Sequence, residues 1–163
     1  MASRDSVFNV LLVCTGNTCR SPMAAGALML ELGVDRDRVE VVSAGTGALE
    51  GQPATEFSVV VAAREGVDLS GHRSQRVTRT MLHRADLVLG MEPSHREAVI
   101  HLGAHPARTF VISEWPELDA AAWVVSDPFG GSLEAYEECW RRIRRHVQRV
   151  TPRVAEAARS RSL

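Results

Sequence analysis

"VFNVLLVCTGNTCRSPMAAGALMLEL", residues 7–32, carries three local signals in one stretch. Val7 to Val13 is a short, β-branched and nearly continuous apolar run, the pattern of a strand covered on both faces. Thr15, Gly16, Asn17 and Thr18 then make a turn. Ser21 offers a helix N-cap, and Pro22 sits where a first helical residue belongs. Two cysteines, Cys14 and Cys19, flank the turn. A structural disulfide, half of a zinc site and a reactive thiol over an anion pocket all fit such a pair at this level.

The remaining segments repeat the alternation. Residues 39–43 read as a second strand, "ADLVLGM" (85–91) as a third and "RTFVIS" (108–113) as a fourth. Between them, Thr55 caps a helix that Gly66 ends, Thr78 opens a short helix to about Arg84, and Pro93 starts another to about Leu102. Residues 113–131 hold no clear element, and a loop of this length is functional or poorly ordered. Ser132 caps a final helix that Pro152 ends or kinks. The pattern predicts an α/β fold: a single domain over residues 1–163, with a four-stranded parallel sheet, helices on both faces and an open loop after the first strand.

Composition narrows the class. A chain of 163 residues with 45% hydrophobic content supports one core. The net charge of -1 gives no long-range attraction to nucleic acid or to an anionic membrane, so neither is an expected partner. No apolar run approaches the roughly 20 residues of a membrane span, and Arg4 with the interrupted apolar stretch behind it does not make a signal peptide. Three cysteines argue against a secreted disulfide framework, and a cytoplasmic location is expected. His101 and His105, at helical spacing, read as surface residues and not as a metal site, and Glu92 reads as the lead into the helix at Pro93.

Ligands of open parallel sheets bind beyond the C-terminal ends of the strands. There the backbone N–H groups of small turn residues, with the N-terminus of the following helix, form a cradle for an oxyanion. Arg20 adds a fork of donors suited to two phosphate oxygens. The same positive field favours the thiolate of Cys14, which would lie beneath a bound phosphate, ready for in-line attack on phosphorus. Asp127, in the turn-rich "SDPFGGS" (126–132), is the candidate acid and base. Ser21 can hydrogen-bond the Cys14 sulfur, and Asn17 with Ser43 or His72 can hold the loop in an unusual conformation.

With "VCTGNTCRSP" (13–22), "SAG" (43–45), "ADLVLGM" and the late Asp-Pro pair in this order, nearly the whole chain resembles the low-molecular-weight protein phosphatase family. The resemblance implies a two-step phosphocysteine mechanism on phosphorylated proteins, needing no metal and no cofactor. It assigns Cys14 as nucleophile, Arg20 as clamp and Asp127 as general acid, with residues 15–20 as the phosphate loop and Ser21, Ser43 and His72 in support. It also implies that Cys19 can form a reversible disulfide with Cys14 and shield it from over-oxidation.

Departures from the tyrosine-specific branch concern the pocket wall. Thr18 stands where that branch usually carries a bulky aliphatic residue, Phe129 and Gly130 where it carries tyrosines, and Ala48 and Leu49 where it often offers an aromatic side chain. Thinner aromatic walls disfavour a flat phosphotyrosine ring. The loop is similar to that of bacterial protein-arginine phosphatases, in which the threonine helps select phosphoarginine. Thr18, Leu49 and Phe129 are therefore the expected specificity residues, with phosphotyrosine as the alternative substrate. Trp115 and Trp123 either line the rim or tie the loop to the body; Phe129, beside Asp127, belongs to the rim. Arsenate reductase uses a similar loop with a cysteine relay, but Cys139, inside the last helix, reads as a buried apolar residue. A silent phosphoprotein-binding module is the non-enzyme alternative, although it would need neither Cys14 nor Asp127.

Overall fold

A computed structural model describes residues 7–118 and 124–161. Its strands are β1 (Phe8–Cys14), β2 (Val39–Gly45), β3 (Leu87–Gly90) and β4 (Thr109–Val111), and its helices are α1 (Arg20–Leu32), α2 (Glu56–Ala63), α3 (Arg79–Arg84), α4 (Pro93–Leu102) and α5 (Leu133–Arg161). All strand pairs are parallel, in the order β2-β1-β3-β4. The chain leaves β1 toward one edge and returns toward the other. The crevice beyond Cys14 is therefore the switch point of the sheet.

β1 shows why its sequence is almost uniformly apolar. Val10, Leu12 and Cys14 face one core with Met23 and Leu28 of α1 and Ile143, Val147 and Val150 of α5. Leu11 and Val13 face a second core with Leu82 of α3 and Val99 of α4. Both faces are covered, so period-two alternation is lost.

α1 begins at Arg20, so Ser21 is its second residue and not its cap; Cys19 holds the cap position without a side-chain bond to the helix N-terminus. Pro22 is tolerated as the third residue because the first N–H groups of a helix have no intrahelical acceptor. Thr78 caps α3 through the Met81 N–H, and the Ser132 hydroxyl accepts from Ala135 N–H before α5. β4 is shorter than the expected 108–113, because a 3-10 turn takes over at Ile112.

α5 continues through Pro152 to Arg161. Several of its arginines reach other elements. Arg144 pairs with Glu31 and Glu65, Arg159 with Asp35, and Arg161 makes a two-pronged pair with Asp86 just before β3. No helix among the described residues is long and apolar enough to cross a membrane.

Candidate active site

The turn between β1 and α1 is held by one residue above all. Asn17 has φ 55, a left-handed conformation that asparagine adopts more readily than most residues. Its buried side chain donates to Ser21 Oγ at 2.8 Å and to Ser43 Oγ at 2.9 Å, and its Oδ1 accepts from Gln75 N–H at 2.9 Å. His72 Nε2 lies 2.6 Å from the Asn17 carbonyl oxygen. Ser43 and His72 thus both meet Asn17.

Gly45, at the end of β2, explains the "SAG" triplet. Its N–H and carbonyl bond to residues 75 and 77, and a Cβ there would collide with the Thr15 carbonyl oxygen. Thr46 N–H donates to Cys14 O, and Gly47 N–H to Thr15 O. The loop is therefore stitched to β2 by contacts that only a glycine permits.

At the base of the loop, Cys14 Sγ is 2.9 Å from Ser21 Oγ and 3.2 Å from Asn17 N. Because Ser21 Oγ accepts from Asn17 Nδ2, its own proton is available for the sulfur. Two donors converge on Sγ, an arrangement suited to a sulfur that carries negative charge. Cys19 lies on the underside, 3.3 Å from Thr55 Oγ1 and 3.5 Å from Tyr136 Oη. The Tyr136 phenol is pushed up to about 12, first by burial and then by its bond to Cys19, and so stays protonated. All three cysteines are free and buried, and burial pushes the Cys139 thiol up to about 12.

Arg20 is 2% exposed. Nη1 binds Glu92 Oε1 at 2.7 Å and the Val125 carbonyl at 3.0 Å, while Nη2 lies 3.5 Å from Asp127 Oδ2. A guanidinium at this depth needs such partners, since an unpaired buried charge costs several kcal/mol. Glu92 does more than lead into α4: it faces Arg20 and completes a capping box with His95. Nothing in "MEPSH" signalled the first role, and Glu92-x-x-His95 departs from the Ser/Thr-x-x-Glu/Gln capping pattern, so only Pro93 marked the helix start.

Cys14, Thr15, Gly16, Thr18, Cys19, Arg20, Asp127 and Phe129 line one cavity of about 210 Å³. Larger hollows lie elsewhere, lined by residues such as Glu40 and Arg84, but they hold neither a cysteine nor the loop. Asp127 is half-exposed at the rim, its Oδ1 accepting from Phe129 N–H at 3.1 Å, and Phe129 itself is 71% exposed. Leu49, 73% exposed, is not part of the cavity lining. Its carbonyl accepts from Ser74, which places it on the neighbouring turn. Trp115 packs against Phe110 at 6.3 Å between ring centroids, tying its loop to the body, while Trp123 lies outside the described residues.

Sequence reading missed a further layer. His95 Nε2 is 2.9 Å from Thr15 Oγ1, and His95 is buried against Arg20. Thr55, Gln75 and Tyr136 also support the loop, from segments that no local motif connects to it.

A parallel α/β sheet whose first turn wraps a cysteine, with an arginine at the start of the next helix and an aspartate across the cavity, defines a class of small cysteine-loop phosphatases. Residues 9–160 match the family described as "Low molecular weight phosphotyrosine protein phosphatase". The chain is 39% identical over 148 residues to a probable low molecular weight protein-tyrosine-phosphatase EpsP of Ralstonia nicotianae, covering 89% of this chain and 94% of that protein. It is 33% identical over 150 residues to the protein-arginine-phosphatase of Geobacillus stearothermophilus, covering 91% and 95%. Among solved structures, the Erwinia amylovora tyrosine phosphatase AmsI superposes with a TM-score of 0.81 at 29% identity, covering 90% of this chain and 93% of that one. The YwlE arginine phosphatase from Geobacillus stearothermophilus gives 0.79 at 30% identity, covering 94% of each. The chain belongs to the low molecular weight protein phosphatase family.

Proposed function

We propose that this protein removes phosphoryl groups from phosphorylated proteins in two displacements at Cys14, with a lean toward phosphoarginine. The observation that carries the reading is the single cavity shared by Cys14, Arg20 and Asp127. In the first step the Cys14 thiolate forms an S–P bond as the P–N or P–O bond to the substrate breaks, and Asp127 gives its proton to the leaving atom. In the second, Asp127 takes a proton from water, the hydroxide oxygen attacks phosphorus, and the S–P bond breaks to release inorganic phosphate and the thiolate. The backbone N–H groups of residues 15–20 and the Arg20 guanidinium stabilise the developing charge. Ser21 steadies the thiolate as it leaves, and Ser43 and His72 hold Asn17.

The scheme uses residues 1–163 as one catalytic domain and calls on no metal or cofactor. It suits the reducing cytoplasm, where Cys14 and Cys19 stay free thiols and can form a protective disulfide under oxidation. Cys19 would then give up its contacts with Thr55 and Tyr136.

Thr18 supports phosphoarginine, because it lines the cavity with a small polar side chain, its Oγ1 3.8 Å from Cys19 Sγ, where a bulky apolar one would favour an aromatic ring, and Asp127 at the rim can pair with the guanidinium before or after the proton transfer. Phosphotyrosine is the second reading, favoured by the resemblance to EpsP and by the exposed Phe129 ring at the rim. The deciding experiment is kcat/KM of the reduced protein on matched phosphoarginine and phosphotyrosine peptides with chelator present. An excess for phosphoarginine sustains the lean; an excess for phosphotyrosine leaves the mechanism and transfers the substrate.

A further inference from the structure

The mechanism above uses Thr15 only through its backbone, yet its side chain is committed in a definite way. Oγ1 lies 2.9 Å from His95 Nε2 and 3.5 Å from Arg20 Nη2. The other ring nitrogen of His95, Nδ1, is 3.1 Å from the backbone N of Glu92. A backbone N–H can only donate, so Nδ1 is the acceptor and the ring proton sits on Nε2. Nε2–H therefore donates to Thr15 Oγ1, and Arg20 has donors alone to offer.

A hydroxyl has two acceptor sites and one proton. Both acceptor sites of Thr15 face donors, which leaves the proton to be given away. No acceptor among the described residues takes it, and Thr15 is exposed on the wall of the cavity that holds Cys14 and Arg20.

The ring is held firmly enough to enforce this. It belongs to the first turn of α4 and packs over Gly90 at the end of β3, where a Cβ would come within 2.9 Å of the His95 Cβ. Burial, reinforced by the Arg20 charge, pushes His95 down to about 4, so the ring is neutral near pH 7.

We propose that the Thr15 hydroxyl is a ligand-binding donor of this site, turned toward the phosphoryl oxygens by His95 acting as a positioning residue. The inference rests on the reading of residues 14–20 as the phosphate cradle. It adds one side-chain donor to the backbone N–H groups, delivered from α4 and not from the loop's own helix.

The test uses the whole protein with inorganic phosphate as the competing ligand, read as its inhibition constant and alongside kcat and KM. Thr15→Val removes the hydroxyl at nearly constant volume and is expected to weaken phosphate about tenfold, the effect of losing one hydrogen bond to a charged group. Thr15→Ser keeps the hydroxyl and wild-type binding, whereas Thr15→Val also strands the His95 Nε2–H and is expected to lower the thermal midpoint. His95→Leu is expected to weaken phosphate to a similar degree, and to add little more once Thr15→Val is present. Unchanged phosphate inhibition in Thr15→Val overturns the proposal, as does a His95→Leu loss that is the same with and without Thr15→Val. Should His95→Leu not fold, the Thr15→Val and Thr15→Ser pair decides: equal phosphate inhibition in the two overturns the proposal. No inhibition of the wild-type protein by inorganic phosphate would instead remove the cradle reading beneath the proposal.

Discussion

Glu92 Oε1 stands 2.7 Å from Arg20 Nη1, joining the first residue of α1 to the cap of α4 across the C-terminal end of the sheet. The guanidinium is therefore oriented before any ligand arrives, and its Nη2 is left facing Asp127 and Thr15. Such preorganisation reduces the reorganisation needed when charge develops on phosphorus.

Glu92→Gln keeps a cap and a hydrogen-bond acceptor but removes the charge. The expected result is a fall of about tenfold in kcat/KM together with a lowered thermal midpoint, since the buried Arg20 loses its nearest counter-charge as well as its fixed geometry. Glu92→Ala loses the cap as well and should cost about 1 kcal/mol more of stability. Steady-state kinetics and thermal unfolding of the two variants separate these contributions.

Cys14→Ser should abolish turnover while leaving inorganic phosphate binding largely intact. Asp127→Asn should lower kcat by about 10²- to 10⁴-fold, the usual range for a lost general acid and base. Retention of substantial activity by either variant would reassign that role. Mass spectrometry of acid-quenched wild-type protein should detect the phosphocysteine.

His95 predicts the acid side of the stability curve. Its folded-state pKa of about 4 lies below the ordinary 6.5, through burial first and Arg20 second, against opposing pulls from Glu92 and Asp127. Between those values the unfolded chain binds a proton that the folded chain refuses. The contribution is fully present above about pH 6.5 and is lost as pH falls toward 4, amounting to roughly 3 kcal/mol over the whole window. Urea unfolding at pH 7, 6 and 5 should show this slope, and His95→Leu should flatten it.

Gly45→Ala should disturb the loop without touching any charged residue. The added methyl meets the Thr15 carbonyl and the Ala48 side chain. Overpacking of this kind costs about 1–3 kcal/mol, and the displaced turn should lower kcat/KM more than it raises KM. Equal activity in the two proteins would mean that the loop tolerates movement away from β2.

Thr18→Ile places a branched apolar group on the cavity wall. The ratio of kcat/KM values for phosphotyrosine over phosphoarginine should rise by about 10- to 100-fold, the range of a change of 1–3 kcal/mol in one pocket contact. An unchanged ratio removes Thr18 from specificity.

Much of this arrangement is legible in the chain itself, for physical reasons that also mark where legibility ends. The strands announce themselves because both faces of β1 and β3 are buried, giving continuous apolar runs such as Val10 to Val13. Cys14, Arg20 and the loop between them sit within one short segment, so their spacing carries their geometry. Ser21 misled the reading of the cap because a serine at a helix start has two uses, and here its hydroxyl serves Asn17 and Cys14. Glu92, His95 and Tyr136 reach the loop from elements 70 or more residues away in the chain, as the separations of 72, 80 and 117 record. Contacts of that kind leave no periodicity and no local motif. Leu49, named as a specificity residue from the resemblance, stands on an adjacent turn, outside the cavity lining.

The support that α5 gives to the loop has a consequence for biosynthesis. Every strand, the cysteine turn and α1 precede residue 133 in the chain, and they leave the ribosome before the helix that seals them. Until α5 arrives, Met23 and Leu28 lack their cover, and Cys19 lacks the Tyr136 hydroxyl on its inner side. A stalled chain thus holds all the residues of the turn over an open apolar underside, a species prone to aggregation. The order of translation makes completion of α5 the step that converts a sticky nascent sheet into a finished reaction centre.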